Sequence, residues 1–263
     1  LRIEPLVAES AQVRVAPACL DVRLPVPAGG LAEIGVALEF LARPVLADPA
    51  AVLTPDEAEL HTRPAEGLIR VTEAVRAAAA RVAGDADDSE AVTRLWAFVM
   101  ETMTCGAVHY DALDVARPLD GVLLRRWCDC QVGSALLAAL CRARGVPARL
   151  VTGYLLHEMA PAFHTWLEAW IDGAGWKPLD LWGWDLSAGG RDLAWRDRFF
   201  GQLDHRMAVE RPPRLFAGTG SVRLPAAWRM LLAPGEPGTS VTFEDVDTGA
   251  LVYREHIVVE RLG

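Results

Sequence analysis

Hydrophobic and polar residues alternate along the first sixty-odd positions of the chain, which predicts β-strands there. The alternation is clearest at positions 13–15 and 20–24. A longer apolar run at Ile34–Phe40 predicts a further strand. We therefore expect residues 1–65 to form a β-rich N-terminal domain or extension.

The pattern changes to helical spacing near Gly67. Leu68–Val82 is rich in alanine and predicts a helix. A second helix is predicted at about Glu90–Met103, after an acidic turn in which Asp87 or Ser89 can serve as the N-cap. This part of the chain is therefore expected to be helical.

A third helix is followed by strands. Ser134–Arg144 is amphipathic and is followed by helix-ending Gly145 and Pro147. Strands are then predicted at Ala148–Leu156, Phe163–Ile171 and Trp176–Leu181. The turn residues Asp-Gly-Ala-Gly at 172–175 predict that the last two strands form an antiparallel hairpin.

The last part of the chain has a weaker pattern. Residues 183–235 are rich in Gly, Arg and Pro and predict loops and short helices around the core, and residues 240–246 and 251–260 predict a hairpin. The order of elements indicates an α+β fold rather than a doubly wound parallel sheet. We expect a core at 66–200 and a C-terminal extension at 201–263.

Charge and hydropathy exclude some classes of partner. The net charge is −9 and no run of Lys or Arg occurs, so nucleic acid is not an expected partner. The longest apolar stretch, around Ala135–Cys141, is far shorter than the roughly 20 residues of a membrane span. No signal peptide is visible, and five cysteines without framework spacing argue against a disulfide-stapled domain. We expect a reducing, cytoplasmic location.

Three residues are candidates for nucleophilic catalysis. Cys130 lies just before a predicted helix N-terminus, where the helix dipole favours a thiolate over a thiol of pKa roughly 8.5. His164 and Trp166 lie on one face of the strand predicted at Phe163–Ile171. Asp180 follows on the partner strand, and the hairpin makes His164 and Asp180 cross-strand or diagonal neighbours.

The motifs around these residues resemble the transglutaminase-like superfamily. They read CQVGSALLAALCRARGVPARLVTGY, then FHTWLEAW, then GWKPLD. The resemblance covers roughly residues 66–200, and it implies a papain-like core in which a Cys-bearing helix packs on an antiparallel sheet. It also implies Cys130 as the nucleophile, His164 as the general base and acid, and Asp180 as the residue that orients His164.

The sequence departs from the family pattern at two positions. Cys128 stands where the family usually has Gly, and Val132 where members often carry an acid. These departures leave the substrate class open. The acidic calcium loops of the animal transglutaminases are not apparent, which points to the bacterial branch.

Other interpretations of the cysteines and histidines stay open at this stage. Cys130 could be a buried apolar residue. Cys128 is the rival nucleophile, and the two could form a redox pair or half of a metal site. Zinc would need two more ligands, for which Cys105 and Cys141 are the candidates, and no clustered His supports such a site. His157 is the alternative base. We expect no metal and no cofactor.

Two aromatic residues are candidates for substrate binding. Tyr110 lies twenty residues before the nucleophile and could line the cleft, or act as an oxyanion donor beside the Cys130 backbone N–H. Trp166 belongs to a tryptophan-rich stretch and could form a wall of the substrate cleft. Arg149 is expected to anchor packing through buried hydrogen bonds.

The pattern predicts acyl transfer in two steps. A Cys130 thiolate would attack the carbonyl of a peptide or other amide, an ester or a thioester. The acyl-thioester would then pass to an amine, which is transglutaminase-like amide formation, or to water, which is the amide or peptide hydrolysis of a protease or amidase. One alternative is an acyltransferase or cyclase that takes its acyl group from a carrier protein. Another is a non-catalytic binding module that keeps the fold.

Overall fold

The computed structural model describes most of the chain: residues 2–7, 12–16, 19–23, 34–39, 41–114, 116–157, 161–181, 199–210 and 258–260. The chain divides into two compact units between Arg43 and Pro44. The sequence placed the first boundary after residue 65 and the second after residue 200. Those domain assignments stay predictions.

The first unit consists of paired strands in its described residues. Strand β1 (Arg2–Val7) pairs antiparallel with β4 (Ile34–Glu39), and β2 (Gln12–Ala16) pairs antiparallel with β3 (Cys19–Arg23). The strands predicted at 13–15, 20–24 and 34–40 are confirmed to within one or two residues. Alternation of apolar and polar residues is the cause, because successive side chains of a strand point to opposite faces.

The second unit mixes helices and strands. Its described helices are α1 (Pro55–Thr62), α2 (Glu73–Ala83), α3 (Asp88–Thr102), α4 (Pro118–Arg125) and α5 (Cys130–Ala143). Its described strands are β5 (Val45–Leu46), β6 (Ala65–Glu66), β7 (Ile69–Arg70), β8 (Thr104–Cys105), β9 (Trp127–Cys128), β10 (Ala148–Leu155), β11 (Ala162–Ile171), β12 (Gly175–Leu179), β13 (Gln202–Leu203) and β14 (Arg206–Glu210).

A four-stranded antiparallel sheet carries the core of this unit. Its strand order is β12-β11-β10-β14, and the predicted hairpin is confirmed as β11 and β12. Helix α5 packs on β10 and β11, and its residues from Gln131 to Arg142 are all buried. The Ser134 hydroxyl donates to the Thr165 carbonyl at 3.2 Å, which ties the helix to the sheet. The predicted α+β fold, with a Cys-bearing helix on an antiparallel sheet, is confirmed.

Side-chain caps determine where the helices begin. The Asp87 carboxylate accepts the Glu90 N–H at 2.9 Å, which confirms it as the cap of α3. The Thr72 hydroxyl accepts the Val75 N–H at 3.3 Å and starts α2. Helix α2 therefore begins later than the predicted Leu68, whose neighbours form β7 instead.

Two short helices were missed by the sequence reasoning. Helix α1 lies in the stretch predicted as β-rich, and a capping box between Thr54 and Glu57 with Pro55 in the first turn explains it. Helix α4 begins at Pro118 and ends at Arg125, and it is followed by the C-cap residue Arg126, whose φ of 57° is left-handed. Both helices have only eight residues, so a hydrophobic period is hard to recognise in them.

The prediction of loops and short helices over 183–235 is wrong for residues 202–203 and 206–210, which form β13 and β14. Strand β14 joins the main sheet beside β10, with Leu155 opposite Arg206. The pairing is irregular between Thr152 and Gly153, and a Cβ on Gly153 would lie 1.8 Å from the Met207 carbonyl oxygen. Only glycine fits this close backbone approach.

The predicted C-terminal hairpin falls largely outside the described residues. Its first strand, residues 240–246, is not described. Of its second strand, only residues 258–260 are described, and they are not in a strand.

Candidate active site

Cys130 is the first residue of helix α5, and its side chain is partly exposed. The sequence predicted that the helix would begin at Ser134, beyond Cys130. The helix instead begins at Cys130 because Asp129 is its N-cap and accepts the Val132 N–H at 2.8 Å. The sulfur thus lies where the positive end of the helix dipole favours an anion.

His164 lies between Cys130 and Asp180 and is hydrogen-bonded to both. Its Nε2 lies 2.8 Å from Asp180 Oδ1, which leaves Nδ1 for the hydrogen bond with Cys130. Continuing the β11–β12 register past Leu167 and Leu179 makes Asp180 a diagonal neighbour of His164, one of the two predicted arrangements. The structure brings the three candidate residues together.

The His164 imidazole is nearly inaccessible to solvent, with 2% of its surface exposed. Burial lowers its pKa, but the charges of Asp180 and Cys130 and the hydrogen bonds to both outweigh burial and raise the pKa to about 9. At neutral pH the ring therefore carries a proton on each nitrogen. This form is the one that can donate a proton to a leaving group.

Arg206 is a member of the site that the sequence did not reveal. It lies on β14, and its Nε and Nη2 donate to Asp180 Oδ2 at 2.8 and 2.6 Å. Both side chains are fully buried. The Asp180 carboxylate therefore gives one oxygen to His164 and the other to Arg206.

The segment that carries Arg206 also holds the backbone of Asp180. The Asp180 N–H donates to the Phe199 carbonyl at 3.1 Å, and the Arg206 guanidinium lies 5.2 Å from the centre of the Phe199 ring. Residues 199–206 thus contact Asp180 through both its main chain and its side chain.

Tyr110 is near the nucleophile, but its hydroxyl points to Asp129. The Oη atom donates to Asp129 Oδ2 at 2.6 Å. Burial raises the pKa of Tyr110 well above its usual range, and the Asp129 carboxylate adds to this rise. The hydroxyl therefore keeps its proton and donates a hydrogen bond to Asp129. An oxyanion role would require this bond to break, and a role in substrate binding stays a prediction.

The structure does not bring Trp166 to the surface of the site. Its side chain is fully buried in the core, and its ring stacks at 6.3 Å from the His164 ring. A contact between Trp166 and substrate would require the core to open, and its role as a support of His164 fits the burial better. Arg149 pairs with Glu168 at 2.8 Å and covers the Trp176 ring at 4.0 Å, in agreement with the predicted packing role.

A small, largely apolar pocket adjoins the nucleophile. Its lining consists of Val99, Met100, Met103, Cys105, Cys128, Asp129, Cys130 and Leu181. Cys128, the rival nucleophile, is buried on β9, where it faces Cys105 of β8 across a parallel pair. A Cβ on Gly133 would lie 2.9 Å from the Cys128 sulfur, so this thiol packs against the helix. Cys130 is therefore the more accessible of the two.

The described part of the chain has neither a cluster of metal-binding side chains nor a helix that could span a membrane. No group of three or more His, Cys, Asp and Glu side chains in that part of the chain is arranged to hold a metal ion. Every helix there is too short or too polar to cross a bilayer. The absence of a metal or cofactor requirement stays a prediction.

The sequence model of the transglutaminase-like superfamily matches residues 76–181. Among solved structures, a candidate cysteine protease from Cytophaga hutchinsonii is 16% identical, with a TM-score of 0.47 over 80% of this chain and 77% of that chain. The periplasmic domain of TgpA from Pseudomonas aeruginosa is 20% identical, with a TM-score of 0.41 over 57% of this chain and 54% of that one. No curated protein matched the sequence.

The matched segment contains Cys130, His164 and Asp180 and the elements that bring them together. The sequence resemblance and the family match therefore agree. Over residues 76–181, this chain matches the transglutaminase-like superfamily.

Proposed function

We propose that this chain is a cysteine-dependent acyl-transfer enzyme, with Cys130 as nucleophile, His164 as general acid and base, and Asp180 as the residue that orients His164. The observation that carries the proposal is the His164 ring, which is buried and hydrogen-bonded to the sulfur on one side and the carboxylate on the other. A histidine shared in this way is the usual means of activating a thiol.

The first step forms a thioester. The Cys130 sulfur attacks the carbonyl carbon of an amide, ester or thioester, and the C–O π electrons move to oxygen. The C=O double bond then re-forms as the bond between the carbonyl carbon and the leaving group breaks. His164 donates a proton to the leaving group. The Cys130 backbone N–H, at the start of α5, is the proposed donor to the transient oxyanion.

The second step releases the acyl group. His164, now neutral, accepts a proton from an amine or from water as that acceptor attacks the thioester carbonyl. The sulfur leaves as a thiolate, which restores the starting pair. Amine attack forms an amide and water attack completes a hydrolysis, so the same three residues serve both outcomes.

A reaction with p-nitrophenyl acetate tests the proposal without knowledge of the natural substrate. We expect a burst of nitrophenol equal to the enzyme concentration, an acetyl group on Cys130 by mass spectrometry, and hydroxamate formation when hydroxylamine is the acceptor. The same result is expected with and without EDTA. Acyl transfer from an acylated carrier protein to hydroxylamine, detected as a hydroxamate and a free carrier thiol, would extend the activity to carrier-bound thioesters.

Single substitutions identify which residues serve as the nucleophile and the base. Cys130→Ser and His164→Gln are expected to abolish the burst, whereas Cys128→Ser and His157→Gln are expected to keep it. A burst lost in Cys128→Ser but kept in Cys130→Ser would assign the nucleophile to Cys128. The absence of both a burst and iodoacetamide labelling at Cys130 would indicate a binding module that has kept the fold.

A further inference from the structure

We propose that Arg206 is a positioning residue of this site, which fixes the Asp180 carboxylate so that one oxygen faces His164. The proposal rests on the proposed function in treating Asp180 as the residue that orients His164. Arg206 lies outside the family match, which ends at residue 181. It reaches the site from β14, beyond the segment that carries the motifs.

The hydrogen bonds of Asp180 are divided between its two oxygens. Oδ2 accepts two N–H groups of Arg206 at 2.8 and 2.6 Å, and Oδ1 lies 2.8 Å from His164 Nε2. Rotation of the carboxylate would break both bonds to the guanidinium. The paired donors therefore select the orientation in which Oδ1 faces the imidazole.

Arg206 is itself held in place by neighbours. Its Nη1 donates to the Asp204 carbonyl at 2.6 Å, and its backbone lies opposite Leu155 on β10. The preceding residue, His205, has a φ of 55°, and its carbonyl accepts the Leu156 N–H at 2.8 Å. These contacts anchor the guanidinium to the same sheet that carries His164.

The positive charge of Arg206 also affects how strongly Asp180 attracts the His164 proton. Asp180 lies between two cations, the guanidinium and the protonated imidazole, and a guanidinium stays charged in proteins. On the other side of the imidazole, Cys130 at the start of α5 also raises the His164 pKa through its charge and a hydrogen bond. Arg206 therefore moderates the attraction of Asp180 for the His164 proton, and this proton must leave the ring during the reaction.

The decisive measurement is the pKa of His164, read from its ring resonances by NMR. We expect this pKa to fall in Arg206→Gln, because a carboxylate that is no longer held turns away from the imidazole, and its charge and hydrogen bond then raise the pKa less. A rise, which removal of the positive charge alone would give, would mean that the carboxylate stays in place without Arg206 and would overturn the positioning role. An unchanged pKa overturns the proposal, whatever happens to turnover.

Two further variants separate positioning from a general loss of stability. Arg206→Lys keeps the charge, so we expect a His164 pKa near that of the parent protein even if Arg206→Gln does not fold. Arg142→Gln is the matched control, because Arg142 is equally buried and pairs with Glu66, and its contacts do not include Asp180. This control is expected to leave the His164 pKa unchanged.

Turnover of p-nitrophenyl acetate gives an independent reading. Because misplacement by about 1 Å can cost about a hundredfold in rate, we expect a tenfold to hundredfold loss in Arg206→Gln and partial recovery in Arg206→Lys. Arg142→Gln is expected to stay within about threefold of the parent. If the parent protein has no acyl-transfer activity, the proposed function fails, but the titration of His164 still decides the role of Arg206.

The parent protein offers a test that needs no substitution. The Arg206 Nε–H group is buried and hydrogen-bonded to Asp180, so its proton should exchange slowly and be visible by NMR. We expect its resonance to move with the same midpoint as the His164 ring. A signal that does not move across this titration would contradict the coupling.

Discussion

The hydroxyl of Tyr110 donates a 2.6 Å hydrogen bond to the carboxylate of Asp129, the residue that precedes Cys130 and caps its helix. Burial raises the pKa of Asp129, although its hydrogen bonds to Tyr110 and to the helix N–H groups act in the opposite direction. The negative charge next to the nucleophile is thus partly compensated by donors. This compensation is expected to affect how readily the sulfur reacts.

Removing the Tyr110 hydroxyl should therefore slow the reaction of Cys130. In Tyr110→Phe, the Asp129 charge loses a donor and disfavours a second negative charge on the adjacent residue. We expect iodoacetamide to label Cys130 a few-fold more slowly, and the free energy of unfolding to fall by about 1–3 kcal/mol. Mass spectrometry and urea unfolding measure the two effects.

Asp129→Asn should act in the opposite direction on the rate. Asparagine still caps a helix, but it carries no charge. We expect faster labelling of Cys130 than in the parent protein at the same pH. Slower labelling in both variants would show that the charge of Asp129 does not control the reactivity of the sulfur.

Substituting Gly153 should disturb the site from a distance. A Cβ there would meet the Met207 carbonyl at 1.8 Å and push β14 away from β10, which would displace Arg206. We expect Gly153→Ala to lose about 1–3 kcal/mol of stability and to change the pKa of His164 as Arg206→Gln does.

A glycine of the helical layer provides the control for this substitution. A Cβ on Gly121 would meet only the end of the flexible Arg125 side chain. Gly121→Ala lies within α4 and should be neutral or stabilising by up to about 1 kcal/mol. A Gly153→Ala protein with the stability and His164 pKa of the parent would contradict the predicted dependence on β14.

The raised pKa of His164 predicts a loss of stability at alkaline pH. The folded state holds this proton up to about pH 9, whereas an ordinary histidine releases it near 6.5. The contribution is therefore complete below pH 6.5 and is lost as the pH rises through 9, with a size on the order of 3 kcal/mol. Urea unfolding between pH 6 and 10 should show this decline in the parent and not in His164→Gln.

The lowered pKa of His61 predicts a second loss at acid pH. Burial lowers this pKa to about 4, and the charge of Arg149 adds to the effect. The folded state therefore favours the neutral ring, which packs edge-on against Trp176 at 5.1 Å. Its contribution is complete above pH 6.5 and falls as the pH drops through 4.

His61→Leu tests this acid sensitivity. Between pH 6.5 and 4, the free energy of unfolding should fall by about 1–3 kcal/mol less in this variant than in the parent protein, as measured by urea unfolding. His109 is exposed, so His109→Gln serves as the control and should follow the parent. Equal acid profiles for all three proteins would contradict the assignment to His61.

Local sequence signals predicted the parts of the site that are close in the chain. The Asp-Gly-Ala-Gly turn predicted the hairpin that brings His164 and Asp180 together, and Asp87 was readable as a helix cap. The same logic could have identified Asp129 as the cap of α5. The predicted start at Ser134 is too late because the Asp129 cap lets the helix begin at Cys130.

Arg206 could not be predicted in this way. Its bond to Asp180 joins residues 26 positions apart, and β14 pairs with β10 rather than with a neighbour in sequence. Trp166 shows a related difficulty, since the alternation of a strand does not distinguish a cleft wall from a core face when both sides are covered. The positions of both side chains depend on packing between segments that are distant in sequence.

The place of β14 in the chain has a consequence for biosynthesis. When the ribosome has added Leu181, the nascent chain contains every residue of the family match, but the edge of the sheet beside Gly153 is still unpaired. Pairing between distant segments is slow, because the intervening loop must close first. On the two proposals above, a fully active site would form only after translation has passed Glu210, so the nascent chain would be a weak acyl-transfer catalyst until β14 has paired with β10.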